Sequence, residues 1–320
     1  MDINILLKLQ EWRTHFCDQV FLNITFLAED KFFYYVLAAI YWCINKEMGI
    51  RLGFYLNLSG ILNTFFKSVL RVPRPFLRDQ RLEPVASAKA GATGFACPSG
   101  HTSQAASIYG GIAFVNRKKR AISTVMILLT VFMAFSRLYL GVHTLQDVFL
   151  AAAIAVLVMV VMQKIWGWIE NGNNRDILFA VGVFAGTVIL AVISFGIPYE
   201  AAMEDVMYRT YMDIVKKIMM VTVFLLSWLW ERRKLHYQVP KELWKKLLIF
   251  CFGSFILFLI YNQVREYINQ ICIWCFQKKT GKIIGRGIGS ALMTAWVYGI
   301  YPCIIMKVQK GIANKDNVKN

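Results

Sequence analysis

Three short segments of this chain combine residue types that can do chemistry on phosphate. The segment SRLYLGVHTLQD holds Arg137, His143 and Asp147 between two apolar runs. His143 and Asp147 are four residues apart, so a helix that begins at His143 would place both side chains on one face. A carboxylate there can fix the imidazole tautomer and stabilise its charged form, which makes histidine an effective nucleophile or base. This segment alone leaves an ordinary loop with a hydrogen-bonded histidine as the alternative.

A second segment, KSVLRVPRP, carries two cations at the end of an apolar run. Lys67 and Arg74 are seven residues apart, about two helical turns, so both can face one point if the helix persists that far. An unpaired cation inside an apolar run is costly, so Lys67 should face the bundle interior, with snorkelling to the lipid surface as the alternative. With the planar guanidinium of Arg137, these cations predict a site for a multiply charged anion.

The third segment, CPSGH, introduces another apolar run. The backbone amides of Ser99 and Gly100 then lie at a helix N-terminus, where phosphate oxygens bind readily. His101 follows in the first turn and can act as general acid for a leaving oxygen. Taken alone, this segment favours a helix capped by Ser99 with an interfacial His101 over a catalytic role.

The composition predicts a membrane protein. Hydrophobic residues make up 57% of the 320 residues and the mean hydropathy is +0.48, whereas one bilayer span needs about 20 apolar residues. The net charge of +17 falls in short clusters between apolar runs instead of on one basic face, so it argues for membrane topology and against a nucleic-acid partner. The basic clusters at 117–120 and 232–234 predict the cytoplasmic side.

The apolar runs predict nine spans that follow an interfacial helix at the N-terminus. A predicted outer loop covers residues 198–213, and a connection over 263–286 would also lie outside, although Lys278, Lys279, Lys282 and Arg286 oppose the positive-inside rule. The predicted spans are 32–44, 52–70, 98–116, 121–135, 143–163, 177–197, 215–230, 247–261 and 288–306.

This order of spans brings the three segments to one extracytoplasmic face. The predicted fold is therefore an all-α, polytopic membrane helix bundle. Residues 1–168 form a catalytic core of about five to six helices with the interfacial helix. Residues 169–320 form a C-terminal extension of three to four further helices.

Two other catalytic classes fit the residues poorly. A zinc site would be surrounded by Lys67, Arg74 and Arg137, which repel a metal cation, so no metal is expected. A serine hydrolase would need a G-x-S-x-G turn, which CPSGH does not provide.

The three segments together resemble the type 2 phosphatidic acid phosphatase superfamily of membrane lipid phosphatases. Its K-x6-RP motif is matched by residues 67–75, its PSGH motif by residues 98–101, and its SR-x5-H-x3-D motif by residues 136–147, in the family's order. The resemblance covers the chain from its start through the fifth span. It assigns no role to the spans after Trp168.

The resemblance implies a metal-independent mechanism without a cofactor. His143 would attack phosphorus and form a phosphohistidine, Asp147 would orient and charge its ring, and His101 would act as general acid and base. The phosphoryl oxygens would be held by Lys67, Arg74, Ser99, Gly100 and Arg137.

The expected substrate is a lipid phosphate in the cell membrane: phosphatidic acid, phosphatidylglycerol phosphate, a polyprenyl pyrophosphate or a sphingoid base phosphate. A phosphotransferase that passes the phosphoryl group to a lipid or sugar hydroxyl is a second hypothesis. A non-catalytic lipid-binding or transport protein is a third. The later spans are open to a role in a substrate groove or in a homodimer contact.

Overall fold

The computed structural model describes the backbone of residues 2–319 and the side chains of residues 2–310. Over that range the chain is helical and contains no β-strand, which confirms the all-α prediction. The helices are α1 Asp2–Glu11, α2 His15–Phe26, α3 Asp30–Ala39, α4 Lys46–Leu70, α5 Pro75–Arg78, α6 Ala86–Gly91, α7 Gly100–Ala105, α8 Gly111–Val115, α9 Arg120–Tyr139, α10 Leu145–Glu170, α11 Arg175–Gly196, α12 Glu204–Trp230, α13 Leu243–Leu259, α14 Arg265–Cys275, α15 Lys278–Ala295 and α16 Tyr301–Lys319.

Single π-helical turns join α7 to α8, α13 to α14 and α15 to α16 into continuous rods. Within the described residues, five helices are long and apolar enough to cross a membrane, which confirms a multi-pass protein. They are Arg120–Tyr139, Leu145–Glu170, Arg175–Gly196, Leu243–Cys275 and Lys278–Lys310. Every predicted span falls largely within a helix, but the first, second, third and seventh lie in helices below that length or hydropathy.

The predicted outer loop at 198–213 is largely helical, because α12 already begins at Glu204. Met207, Thr210 and Ile214 are buried at helical spacing, so this first part of α12 packs on the bundle. Acidic residues in the first turn also favour a helix N-terminus. The charged residues of this stretch therefore belong to a packed helix and not to a free loop.

The predicted connection at 263–286 is also mainly helical, since α14 and the first half of α15 form an antiparallel hairpin. Glycine explains the close contact: a Cβ added at Gly281 would lie 2.6 Å from the Cα of Ile273. Small residues at four-residue spacing let membrane helices approach in this way. Arg265 begins α14, and the other four basic residues of this stretch lie on α15.

One apolar core joins the N-terminal and C-terminal halves of the chain. The Trp42 indole donates to the carbonyl of Val297 at 2.8 Å, and the Tyr237 hydroxyl donates to the carbonyl of Trp42 at 2.7 Å. Phe54 of α4 packs edge-on against Trp228 of α12. Residues on both sides of the predicted boundary at residue 168 therefore stabilise each other by burial.

The N-terminal helices lie against the ends of α9 and α10. Leu6 of α1 is buried in a small apolar cluster with Leu138 and Val148. Arg13 then donates through Nε to the carbonyl of Tyr139 at 2.9 Å. These contacts support the turn that connects α9 with α10.

Candidate active site

Six of the eight predicted site residues line one cavity of about 390 Å³: Lys67, Arg74, Gly100, His101, Arg137 and His143. They come from α4, the loop after it, α7, α9 and the turn before α10. The other two, Ser99 and Asp147, are buried and lie outside the lining of this cavity.

His143 lies in the turn before α10, because the helix begins at Leu145 and Thr144 is its N-cap. The prediction that a helix begins at His143 was wrong by these two residues. Asp147 instead completes a capping box, in which its Oδ2 accepts the Thr144 N–H at 2.8 Å. The same oxygen is 3.4 Å from His143 Nδ1. Nδ1 has no well-aligned hydrogen bond, so Asp147 acts on the ring mainly through its charge.

Arg74 contacts the other ring nitrogen of His143. Its Nη1 is 2.8 Å from His143 Nε2 and 3.0 Å from the carbonyl of Val142, and its Nε donates to the carbonyl of Gly94 at 2.7 Å. A guanidinium can only donate, so Nε2 must be the acceptor. A neutral His143 therefore carries its proton on Nδ1, facing Asp147, and presents a lone pair at Nε2.

Arg74 reaches the cavity from a loop and not from the helix of Lys67. The helix α4 ends at Leu70, where Arg71 adopts a left-handed backbone conformation with φ of 48°. Pro73 and Pro75 follow and prevent the helix from continuing. The seven-residue spacing therefore brings the two cations together through a turn, not through a shared helical face.

Among the side chains that the structure describes, the three predicted phosphate-binding cations contact uncharged acceptors instead of carboxylates. Lys67 Nζ donates to the carbonyl of Phe95 at 3.2 Å, and Arg137 Nη1 donates to the hydroxyl of Thr25 at 3.2 Å. Within the described side chains, no carboxylate lies within ion-pair distance of Lys67, Arg74 or Arg137. Lys67 lines the cavity, so it does not snorkel to the lipid surface. Three cations at one cavity that form no direct ion pair with a described carboxylate favour a multiply charged anion.

Ser99 uses its polar atoms for structure. Its hydroxyl caps α7 by accepting the Thr102 N–H at 3.4 Å and the Thr102 hydroxyl at 3.0 Å. Its own N–H donates to the carbonyl of Asp147 at 2.9 Å. Gly100, in contrast, faces open space, since a Cβ added there would meet no atom within 4 Å. This bond between Ser99 and Asp147 also fixes the start of α7 to the start of α10.

The position of His143 changes its proton affinity. It lies outside the spans, in the turn between α9 and α10. Burial holds the pKa of His143 well below its usual value, and the charges of Arg74 and Arg137 lower it further. Burial also lowers the pKa of Arg74, to about 10, so this guanidinium stays charged at neutral pH. The ring of His143 is therefore neutral at pH 7.

The cavity wall also contains residues that the sequence analysis did not single out. Asp30 lies at the start of α3, forms an ion pair with Lys216 and accepts a hydrogen bond from Gln104. The C-terminal half contributes Arg209 and Asp213 of α12 and Tyr261 of the π-helical turn before α14, among others. Adjacent lysines at 216 and 217 in a predicted span are a sequence signal of a polar interior, because charge inside a span usually marks a functional site.

Comparison with known proteins agrees with the three motifs. The profile of the PAP2 superfamily matches residues 49–170. A protein of Dictyostelium discoideum named "Probable sphingosine-1-phosphate phosphatase" is 25% identical over 206 residues, which cover 61% of this chain and 50% of that protein. "Lipid phosphate phosphatase delta" of Arabidopsis thaliana is 22% identical over 186 residues, which cover 54% of this chain and 45% of that protein.

The chain thus spans about half the length of each of these relatives. No solved structure gives a significant match. The profile match includes all eight predicted site residues, from Lys67 to Asp147. Residues 49–170 of this chain are therefore similar to the PAP2 superfamily.

Proposed function

We propose that the protein is a metal-independent membrane lipid phosphatase that works through a phosphohistidine on His143. One observation carries this proposal: the lone pair of His143 Nε2 meets Arg74 in a cavity that Lys67 and Arg137 also line. A neutral nitrogen nucleophile beside three cations suits attack on a phosphate ester, because the cations stabilise charge on the phosphoryl oxygens.

The cations would act first, by binding the phosphoryl oxygens together with the amide of Gly100. Arg74 already donates to Nε2, so binding must transfer this donor to a phosphoryl oxygen before Nε2 is free to attack. Nε2 then forms a bond to phosphorus while the bond to the lipid oxygen breaks. His101, in the same cavity, donates a proton to the departing alkoxide.

Hydrolysis of the intermediate would use the same residues. His101, now neutral, accepts a proton from water as the water oxygen attacks phosphorus and the phosphorus–nitrogen bond breaks. Asp147 stabilises the positive charge that the ring of His143 carries in both steps. The products are inorganic phosphate and the lipid alcohol.

The substrate class follows from the membrane setting and from the relatives. Both relatives bear the names of phosphatases that act on lipid phosphates. A lipid phosphomonoester or pyrophosphate keeps its tails in the bilayer while its phosphate enters the cavity. The basic clusters at 117–120 and 232–234 support a cytoplasmic position for the opposite helix ends, and thus a site on the extracytoplasmic side of the cell membrane.

Phosphate release from a panel of lipid phosphates, measured in detergent with a chelator present, tests this proposal. The wild-type chain should release phosphate from at least one lipid, and His143→Ala should release none and form no phosphoenzyme. His15→Ala is the matched control, since His15 is exposed and outside the cavity, and it should behave as wild type. Activity that survives in His143→Ala would contradict the nucleophile, and activity lost on chelation would contradict the metal-free mechanism.

A further inference from the structure

A second polar chamber of about 310 Å³ adjoins the catalytic cavity. Asp213 and Tyr261 line both, so the two spaces meet at these residues. The other walls come from α12, from the turn before α14, and from α14 and α15, all beyond the segment that matches the superfamily profile. The remaining lining residues are Met212, Lys216, Asn262, Arg265, Glu266, Asn269 and Arg286.

The charges of this chamber balance, unlike those of the catalytic cavity. Lys216 is neutralised by its ion pair with Asp30. The two guanidinium groups, of Arg265 and Arg286, are matched in number by two carboxylates, of Asp213 and Glu266. Within the described side chains, none of these four groups forms an ion pair. The chamber thus offers strong donors and strong acceptors without a net charge that would hold a second phosphate.

Close helix packing holds two of these polar side chains in place. A Cβ added at Gly289 would lie 2.7 Å from Arg265 Cγ, and one added at Gly285 would lie 2.9 Å from the Cα of Asn269. Arg265 also lies over the ring of Tyr261, with its Cζ 4.5 Å from the ring centroid. The glycine spacing of α15 therefore positions one donor and one acceptor beside the catalytic cavity.

We propose, on the basis of the phosphatase function above, that this second chamber binds a hydroxyl-rich group next to the phosphate. A hydroxyl both donates and accepts, so guanidinium, carboxylate and amide groups together satisfy it better than they satisfy an anion or an apolar chain. A third polar recess of about 490 Å³ shares Asn262 and Glu266 with the chamber, which leaves room for a group larger than one hydroxyl. The hydroxyls belong to the head group of the lipid or to a free alcohol that accepts the phosphoryl group.

A paired-substrate measurement on the full chain in detergent tests the head-group source. The glycerol next to the terminal phosphate of phosphatidylglycerol phosphate has a free hydroxyl, whereas the glycerol next to the phosphate of phosphatidic acid has both of its other hydroxyls esterified. In the double variant Glu266→Gln, Arg286→Gln, the ratio of kcat/KM for the first lipid over the second should fall about tenfold, as expected for lost hydrogen bonds to charged groups. Lys282→Gln is the matched control, exposed on α15 and outside both cavities, and should keep the wild-type ratio.

Product analysis tests the acceptor source, with phosphatidic acid as donor and added glycerol. The glycerol hydroxyl oxygen would bond to phosphorus, the phosphorus–nitrogen bond to His143 would break, and the hydroxyl proton would pass to His101. Glycerol phosphate should then form with the wild type and fall about tenfold with the double variant. If neither the ratio nor glycerol phosphate changes, the chamber is a water-filled recess only and the proposal is refuted.

Equilibrium binding separates failure of this proposal from failure of the phosphatase function. Binding of both lipids to His143→Ala needs no turnover. Tighter binding of phosphatidylglycerol phosphate than of phosphatidic acid, lost when Glu266→Gln and Arg286→Gln are added, supports the chamber even if no lipid is hydrolysed. Equal loss for both lipids, or no loss for either, refutes the head-group source whatever the activity, and glycerol phosphate formation then decides the acceptor source.

Discussion

Replacing Asp147 by asparagine separates the two roles that the structure gives this residue. Its carboxylate caps α10 by accepting the Thr144 N–H, and the same oxygen is 3.4 Å from His143 Nδ1. Asparagine keeps a side-chain oxygen that can accept from Thr144 but carries no charge. The variant should therefore keep the helix cap and lose the stabilisation of a charged imidazole.

The distance gives the size of the effect on rate. With an effective dielectric constant of about 20, two unit charges at 3.4 Å interact by about 5 kcal/mol. The value of about 5 kcal/mol holds if the imidazole of His143 carries a full positive charge in the transition state. If it carries half a charge, Asp147 stabilises the transition state by about 2.5 kcal/mol. Asp147→Asn should thus lower kcat between about 10²-fold and several thousandfold.

Two measurements on the same preparations distinguish the roles: kcat for phosphate release and the free energy of unfolding in detergent. Asp147→Asn should lose rate with little change in stability. Asp147→Ala should lose similar rate and also about 1–3 kcal/mol of stability, because the buried N–H of Thr144 is left without an acceptor. If Asp147→Asn keeps kcat within about threefold of wild type, the carboxylate is a helix cap only and the electrostatic reasoning is wrong.

Three further predictions follow from other contacts. Because Arg74 lowers the pKa of His143, Arg74→Gln should raise that pKa and move the acid limb of kcat/KM to higher pH; an unmoved limb for the same lipid would contradict this. Lys67→Met should weaken binding of the phosphate analogue vanadate by about tenfold or more without loss of stability, and unchanged binding would mean that Lys67 does not contact the anion. Gly281→Ala should destabilise the α14–α15 hairpin by about 1–3 kcal/mol. Gly182→Ala should not destabilise the protein, because its new Cβ would meet no atom within 4 Å. Equal thermal stability of the two variants would contradict the explanation by close helix packing.

The sequence was sufficient to predict the membrane class and the residues that gather at one cavity. Lys67, Arg74, His101, Arg137 and His143 stand in short motifs whose residue types and spacing carry the information. These side chains meet because the ends of α4, α7, α9 and α10 converge, and the order and length of the apolar runs predict that convergence.

The local geometry was predicted less completely. Thr144, not His143, caps α10, and the spacing Thr144-x-x-Asp147 before an apolar run is the sequence signal for this capping box. The N–H of Ser99 is used by the carbonyl of Asp147, a contact between residues 48 positions apart. That contact leaves no periodic pattern in the sequence.

The wall formed by Asp213 and Tyr261 was missed for a different reason. Charged residues before a span were interpreted as a loop, whereas tertiary packing extends α12 as a helix to Glu204. Tyr261 reaches the cavity from a distant part of the chain. Contacts between segments that share no motif can be read only from the folded structure.

The hydrogen bond between Ser99 and Asp147 has a consequence for how such a chain can change in evolution. It requires the starts of α7 and α10 to lie at the same depth. Between them the chain crosses the bundle twice, once through α7 and α8 and once through α9. Inserting or deleting one helix that crosses the bundle between the starts of α7 and α10 would place His101 and His143 at opposite ends of the bundle. Only changes by an even number of crossing helices therefore keep the two histidines together. Beyond Glu170 the number of crossing helices does not affect this arrangement, so any number of helices can be added there without separating the two histidines.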